Sequence, residues 1–186
     1  LEISAAYSKE DLRKDVSMAD SYYDKSKDVE AQVAYVKKFL SEVSIRYDAE
    51  NDWPIIRYAD VLLMYAEVLN EVDGPSAGLK YLNLVRERAG LSKIESDAVT
   101  TRNVFRTYLE KERRLELAFE NQRWFDLLRW GKAIEVINKH IQETKWDFYA
   151  GYTQQINKLK DYQLILPIPQ SVIDNNPGVI TQNPNY

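Results

Sequence analysis

The chain has 186 residues, 45% of them hydrophobic, and this is enough to bury a core of the size that one compact domain needs. It contains no cysteine, which excludes disulfides, iron–sulfur clusters and thiolate metal sites. Its net charge of −4 provides no basic face for nucleic acid, and no apolar run approaches the length of a membrane span.

The first 50 residues are polar and only weakly patterned. Two sets of apolar residues are spaced loosely like short strands: Val16, Met18 and Tyr22, then Val33, Tyr35 and Phe39. The polar run Asp24–Asp28 between them has the composition of a turn. This pattern predicts a small β-hairpin.

A first pair of helices is predicted between residues 55 and 89. From Ile55 to Val72 the chain is apolar almost all round, with one narrow polar row, which is typical of a helix packed on most sides. Pro75 starts the second helix, because proline is tolerated only in a first turn. Gly90 can take positive φ and end it.

Small residues are expected where these two helices touch: Ala66, Ala77 and Gly78. The pair has the length of one tetratricopeptide unit, about 34 residues. A generic helical hairpin fits the same periodicity equally well.

A second pair is predicted after a polar linker at 91–101, with helices at about 102–120 and 123–139. Two stacked pairs would bury a continuous core, as helical repeats do. The predicted fold is therefore mainly α, with tetratricopeptide-like antiparallel hairpins packed as part of an α–α superhelix. We expect one domain over residues 1–186, in which a helical body (54–140) lies between the weakly patterned start and an irregular loop and tail (141–186).

Three glutamates lie four residues apart on one face of the third predicted helix: Glu112, Glu116 and Glu120. A di-iron bundle would also need histidines on partner helices, and His140 is the only histidine. Neighbouring arginines offer guanidinium partners instead: Arg113, Arg114 and Arg123. A structural ion-pair network is the preferred interpretation.

The residues do not support catalysis. Carboxylates along one helix face point the same way and cannot flank a glycosidic bond. The chain has no Gly-x-Ser-x-Gly nucleophile elbow, and its six glycines form no phosphate-binding loop. No catalytic residue, metal or cofactor is predicted.

Four parts of the chain, in order, resemble the C-terminal region of the SusD/RagB family. They are Pro54–Glu67; Leu82–Gly90; Glu112–Glu120 with Arg123–Leu127 and Arg129–Gly131; and Leu166–Pro169 with Asn176–Pro177 and Gln182–Tyr186. The resemblance covers about residues 53–186 and, loosely, the surroundings of Asp11–Leu12–Arg13. Family members usually have glycine where Asn121 and Asn185 stand, and asparagine is well able to adopt left-handed backbone.

The resemblance implies that several charged residues are buried or half-buried partners that lock helix to helix: Arg57, Asp60, Glu112, Glu116, Arg123, Asp126 and Arg129. It also implies a non-enzymatic protein on the extracellular face of the outer membrane. Such proteins capture a glycan of the starch or polysaccharide type, or in some relatives a peptide, and pass it to a SusC-like TonB-dependent transporter. They are longer and lipid-anchored at an N-terminal cysteine, so we expect this chain to be a C-terminal portion.

Sugar binding would use aromatic rings, which supply flat area with few torsions to freeze. The candidates are Tyr22 and Tyr23 at the predicted hairpin, and Trp146, Tyr149 and Tyr152 in the irregular loop. The alternative is a structural interaction module built on the helical hairpins, without a small-molecule ligand. An exposed apolar patch on the hairpin surface would favour that alternative.

Overall fold

The structure is a computed structural model that describes residues 2–42, 45, 48, 51–143 and 157–186. Its helices are α1 (Glu2–Ala6), α2 (Arg13–Ser17), α3 (Tyr58–Val72), α4 (Pro75–Arg88), α5 (Arg102–Glu116), α6 (Gln122–Arg129), α7 (Ala133–Glu143) and α8 (Gln170–Asp174). Its strands are β1 (Met18–Ala19), β2 (Tyr22–Asp24), β3 (Val29–Ala31) and β4 (Tyr35–Val36). The predicted mainly α fold with a small β element is confirmed.

The predicted hairpin forms as two nested pairs of short strands. β2 pairs antiparallel with β3, and β1 pairs antiparallel with β4. Asp28 closes the turn with a positive φ of 55°. The strands are shorter than predicted, since Val16 lies in α2 and neither Val33 nor Phe39 belongs to a strand.

Helices α3 and α4 form the first predicted pair. Arg57 has extended backbone, so α3 begins at Tyr58 and not at Ile55. Gly74, with a φ of 99°, reverses the chain, and Pro75 is the first residue of α4. These local signals place the turn where the sequence predicts it.

The two helices run antiparallel in close backbone contact. A Cβ atom added to Gly78 would lie 2.4 Å from the carbonyl oxygen of Ala66, so only glycine fits there. Further along, the rings of Tyr65 and Tyr81 meet edge to face with centroids 4.7 Å apart. Small residues therefore lie at the closest approach, as expected for Ala66 and Gly78.

The main core lies between α3, α4 and α5. Its fully buried side chains are Leu63, Ala66, Leu82, Val85, Phe105 and Leu109. The expectation that α3 is packed on most sides is wrong, because a row of its apolar residues from Tyr58 to Val72 is exposed. Apolar composition predicts a helix to be buried, but the neighbours that cover it are set by tertiary structure.

Helix α5 begins at a cap and ends earlier than predicted. The Thr101 hydroxyl accepts a hydrogen bond from the Val104 N–H at 3.2 Å, as an N-cap does. After Glu116 the chain leaves the helix, and Asn121 has a φ of 61°. Asn185 has a φ of 72°, so the left-handed geometry expected at both asparagines is confirmed.

The predicted helix at 123–139 is two helices. α6 ends at Arg129, Gly131 has a φ of 67°, and α7 begins at Ala133. A glycine with left-handed backbone ends a helix by satisfying its last carbonyls, here through the Lys132 N–H to Leu127 O bond at 2.9 Å. By their contacts the residues form two compact units, 1–123 and 124–186, so α5 belongs with α3 and α4.

In the second unit, side chains hold irregular backbone. The amide of Asn138 bonds both the N–H and the carbonyl of Leu159, at 2.7 and 3.0 Å. Gln182 does the same with Ile168, at 2.8 and 2.9 Å. The Tyr186 hydroxyl donates to a carbonyl at 2.9 Å. The tail is therefore irregular but specifically hydrogen-bonded.

Within the described ranges, none of the helices combines the length and the apolar character that crossing a membrane requires.

Candidate functional site

A buried cluster of charged side chains lies where α5 meets the N-terminal segment. Glu112 and Glu116, one turn apart on α5, are 1% and 2% exposed. The Arg13 guanidinium donates from Nη1 to both, at 2.6 and 3.1 Å. Its Nε and Nη2 bind Asp11 in a bidentate pair at 2.8 and 2.7 Å. Burial by itself would lower the pKa of Arg13, but Asp11 and Glu112 outweigh burial and raise this pKa, so Arg13 is a cation.

Cations from other elements occupy the remaining carboxylate oxygens. From α4, Arg86 donates to Glu112 Oε2 at 3.1 Å, and Arg88 pairs with Glu116. Arg57, just before α3, donates to Glu116 Oε1 at 3.0 Å. The two glutamates therefore tie the N-terminal segment, α3 and α4 to α5.

Arg57 continues the cluster to Glu120. It forms a bidentate pair with the Glu120 carboxylate at 2.8 and 2.7 Å, and Lys38 pairs with the same carboxylate. Burial would raise the pKa of Glu120, but hydrogen bonds from Arg57 and Lys38 hold it below the ordinary 4.5. Burial lowers the pKa of Lys38 in spite of Glu120.

The other predicted network residues lie nearby in sequence but have different partners. Asp60 of α3 accepts from Arg113 Nη1 at 2.8 Å, and both side chains are buried. Asp126 and Arg129 pair within α6, one turn apart, at 2.9 Å. Arg123 is half-buried at the end of the first unit.

Two of the arginines that the sequence analysis placed beside the glutamates bind other carboxylates. Arg113 contacts Asp60, and Arg114 donates to Glu2 at 2.7 Å. Residues adjacent on a helix point to different sides, so a glutamate finds its cation on another element. Distant segments supply partners that the sequence pattern did not indicate: Asp11, Arg13, Lys38, Arg86 and Arg88. A signal existed for all of them except Lys38, since the other four lie in segments that resemble the family: Asp11, Arg13, Arg86 and Arg88.

With each acidic group bound by guanidinium or ammonium, this cluster has the character of a structural lock. Carboxylates paired in this way are engaged as hydrogen-bond acceptors and are not available to ligate a metal.

The β2–β3 hairpin presents exposed aromatic rings of the kind that binds sugars. Tyr22 and Tyr23 are 44% and 58% exposed. They are neighbours in β2, so their side chains point to opposite faces of the hairpin. The two candidate tyrosines therefore do not form one surface.

The face that carries Tyr23 also carries oxygen-rich side chains. Tyr23 is directly opposite Glu30 in the strand register, and its hydroxyl donates to the Asp28 carboxylate. Glu30 accepts from the Ser21 hydroxyl. The hydrogen bond to Asp28 raises the pKa of the Tyr23 phenol, so the ring stays neutral at physiological pH. A neutral ring beside two carboxylates matches the apolar face and the hydroxyl edge of a sugar.

Tyr22, on the other face, packs against another exposed ring. It meets Tyr35 edge to face with centroids 6.5 Å apart. Further along the chain, the rings of Phe39 and Trp53 form a tilted pair with centroids 4.6 Å apart, and Trp53 is half exposed. The sequence pattern did not indicate Tyr35 or Trp53 as site residues, because each ring packs against a ring from a different stretch of the chain.

The other predicted ligand residues lie outside the described residues: Trp146, Tyr149 and Tyr152.

The sequence profile of the SusD family matches residues 5–186, so it also takes in the segment that carries Arg13. A SusD-like protein of Formosa agariphila is 29% identical over 183 residues, which are 96% of this chain and 32% of that protein. The chain thus spans about a third of the length of this relative.

Solved structures agree. A SusD homolog from Bacteroides thetaiotaomicron aligns with a TM-score of 0.73 at 23% identity, over 100% of this chain and 42% of that one. Surface glycan-binding protein A from the same species, in complex with laminarihexaose, aligns with a TM-score of 0.71 at 26% identity, over 98% of this chain and 40% of that one. With a profile match over nearly its full length, the chain belongs to the SusD family.

Proposed function

We propose that the chain is part of a glycan-binding protein that lies on the extracellular face of the outer membrane and passes its ligand to a SusC-like TonB-dependent transporter. The proposed ligand is a starch-type or other polysaccharide-derived oligosaccharide, and the proposed activity is capture without catalysis. These statements concern the whole protein. The chain itself corresponds to about a third of the length of one relative.

The observation that carries the proposal is the similarity to a glycan-binding protein solved with laminarihexaose. The Tyr23 face of the hairpin supports it chemically. A sugar ring stacked on Tyr23 would place hydroxyls within reach of Asp28 and Glu30, and each carboxylate can accept further hydrogen bonds. Such an arrangement holds a neutral oligosaccharide without making or breaking a bond.

Titration calorimetry with two defined hexasaccharides tests the ligand proposal. Laminarihexaose and maltohexaose are each added to the wild type and to Tyr23→Ala. Loss of one stacked ring costs about 1.4 kcal/mol, so we expect roughly tenfold weaker binding. Tyr58→Ala is the matched control, because Tyr58 is exposed but lies on α3 and not on the hairpin. The same affinity in wild type and Tyr23→Ala would contradict the role of Tyr23.

A variant with alanine at all five predicted aromatic positions tests the whole set: Tyr22, Tyr23, Trp146, Tyr149 and Tyr152. Binding that survives all five substitutions would show that the glycan is held elsewhere. Preference for maltohexaose would support the starch-type assignment, and preference for laminarihexaose would reject it while keeping glycan capture.

The transporter partnership needs a separate measurement. We expect the full-length gene product, purified from outer membranes of its own host in mild detergent, to bring a TonB-dependent transporter with it. Recovery without such a transporter would leave glycan capture in place and remove the partnership.

One observation favours the alternative of an interaction module. The exposed row of apolar residues on α3 is of the kind that docks protein. This row and the hairpin face are on different elements, so one protein can have both surfaces.

A further inference from the structure

The exposed ring of Tyr23 has two exposed carboxylates beside it, Asp28 and Glu30. The phenol hydroxyl donates to the Asp28 carboxylate, which therefore lies at the edge of the ring. Glu30 is directly opposite Tyr23 in the strand register, and residues in that relation have Cβ atoms about 5 Å apart. A sugar stacked on this ring would lie close to both negative charges.

No cation of the hairpin neutralises these two charges. Among the described residues, no lysine or arginine forms an ion pair with Asp28 or Glu30, and both carboxylates accept hydrogen bonds from uncharged hydroxyl groups. Asp24, whose side chain points to the other face of the hairpin, does pair with Lys27 at 3.6 Å. Lys25, the other lysine of the turn, pairs with neither carboxylate. The face that carries Tyr23 is therefore negatively charged.

Two carboxylates without counter-ions select a ligand by its charge. The hydroxyl groups of a neutral sugar can donate hydrogen bonds to them, whereas a uronic acid carboxylate or a sulfate group can only accept hydrogen bonds and is repelled. In water, two unit charges about 5 Å apart repel with an energy that corresponds to roughly a fourfold loss of affinity. Two such repulsions together correspond to roughly tenfold or more.

We propose that Asp28 and Glu30 determine the charge specificity of the Tyr23 face, which accepts neutral oligosaccharides and excludes those that carry carboxylate or sulfate groups. This inference rests on the proposed function, glycan capture, and adds the chemical class of the glycan. Neutral and acidic polysaccharides can share the same linkage and shape, so the two carboxylates would separate ligands that stacking on a ring does not.

A matched pair of ligands tests the proposal on the full-length gene product that contains this chain. The neutral ligand is whichever of maltohexaose and laminarihexaose binds the wild type more tightly. The acidic ligand is the same hexasaccharide after oxidation of its primary hydroxyl groups to carboxylates. Titration calorimetry at low ionic strength gives the ratio of the acidic to the neutral Kd. EDTA is present to remove divalent cations, which could bridge two carboxylates.

The wild type should bind the acidic hexasaccharide about tenfold more weakly than the neutral one, or more weakly still. The ratio should fall at least about threefold in 1 M salt, where the Debye length is about 3 Å. The double variant Asp28→Asn with Glu30→Gln should lower the ratio to a similar extent. It removes both charges but keeps an acceptor oxygen for each hydroxyl, and asparagine tolerates the φ of 55° at position 28.

Asp24→Asn is the matched control. It removes one carboxylate from the other face of the same hairpin, and its Oδ1 can still accept from the Ser26 N–H that Asp24 binds at 3.0 Å. We expect this variant to keep the wild-type ratio, because the charge that it removes does not lie beside Tyr23.

The outcomes separate this inference from the proposed function. Affinities within about threefold of each other for the two ligands in the wild type would overturn the charge specificity and leave glycan capture in place. A double variant that keeps the wild-type ratio would do the same, since the discrimination would then arise elsewhere in the protein. Failure of the wild type to bind either neutral hexasaccharide would overturn the proposed function, and this inference with it.

Discussion

Replacing Arg13 by methionine removes the cation that joins three buried carboxylates while keeping a side chain of similar length. The change deletes the bidentate pair with Asp11 and the bonds to Glu112 and Glu116. Glu112 keeps Arg86, and Glu116 keeps two cations of its own. Asp11, whose side chain is fully buried, keeps only the backbone N–H of residue 13, at 3.0 Å.

The cost is therefore that of leaving one buried carboxylate without its counter-ion. Breaking a buried pair by removing one partner costs about 3–5 kcal/mol. Because the glutamates stay paired, we expect the lower end, about 3 kcal/mol. For a protein of this size that free energy corresponds to a fall in Tm of roughly 6–12 °C.

The chain provides a matched control in Arg106. It forms a bidentate pair with Glu71, as Arg13 does with Asp11, but both side chains are well exposed. Exposed pairs contribute less than about 1 kcal/mol, so Arg106→Met should change the free energy of unfolding only slightly. Urea unfolding followed by circular dichroism gives both values. Equal losses for the two variants, or a loss below about 1 kcal/mol for Arg13→Met, would refute the argument from burial.

A double variant shows whether the uncompensated charge is the cause. Asp11→Leu combined with Arg13→Met removes the carboxylate that the single change leaves without a cation. Replacing a whole buried pair by apolar side chains is often close to neutral, so the double variant should be more stable than Arg13→Met alone. A double variant that is less stable would assign the effect to lost packing.

Three further outcomes follow from the same contacts. Gly78→Ala should lower the free energy of unfolding by about 1–3 kcal/mol, because the new Cβ would lie 2.4 Å from the carbonyl oxygen of Ala66. This loss outweighs the gain of about 0.5–1 kcal/mol that alanine brings to a helix interior. Ser76→Ala, at an exposed position of the same helix, should have little effect in urea unfolding. Asn121 has a φ of 61°, so Asn121→Gly should leave stability unchanged or raise it, whereas Asn121→Val should lower the free energy of unfolding by about 1–2 kcal/mol. Equal Tm values for the two variants would contradict this. The lowered pKa of Glu120 means that its contribution to stability is present above its ordinary pKa of 4.5 and is lost as pH falls through the folded-state pKa. The stability deficit of Glu120→Gln should therefore shrink below pH 4.5, and a deficit that is constant over pH would count against the pairing.

Part of the candidate site follows from local sequence. The polar run ending at Asp28 predicts the turn of the hairpin, and the turn puts Tyr22 and Tyr23 where they are exposed. Their separation onto two faces follows from the alternation of side chains along β2, and the loose spacing of residues 1–50 does not fix where that strand begins and ends. The oxygen-rich surroundings of Tyr23 likewise arise from Glu30 on the neighbouring strand.

The sequence by itself determined the features that act over a few residues. Pro75 and Gly74 place the turn between α3 and α4, Asn121 takes the left-handed conformation, and apolar periodicity marks α3, α4 and α5. These signals are local because they arise from backbone sterics and from hydrogen bonds one turn apart.

Only the tertiary structure decided which charges pair and which apolar face is left open. Arg13 and Glu112 are 99 residues apart in the chain and 2.6 Å apart in space. Helix α3 has apolar residues on both sides, yet packing on α4 and α5 buries one side and leaves the other exposed. Pairing and burial depend on which segments come together, and that is a property of the whole packed chain, which no short stretch of residues encodes.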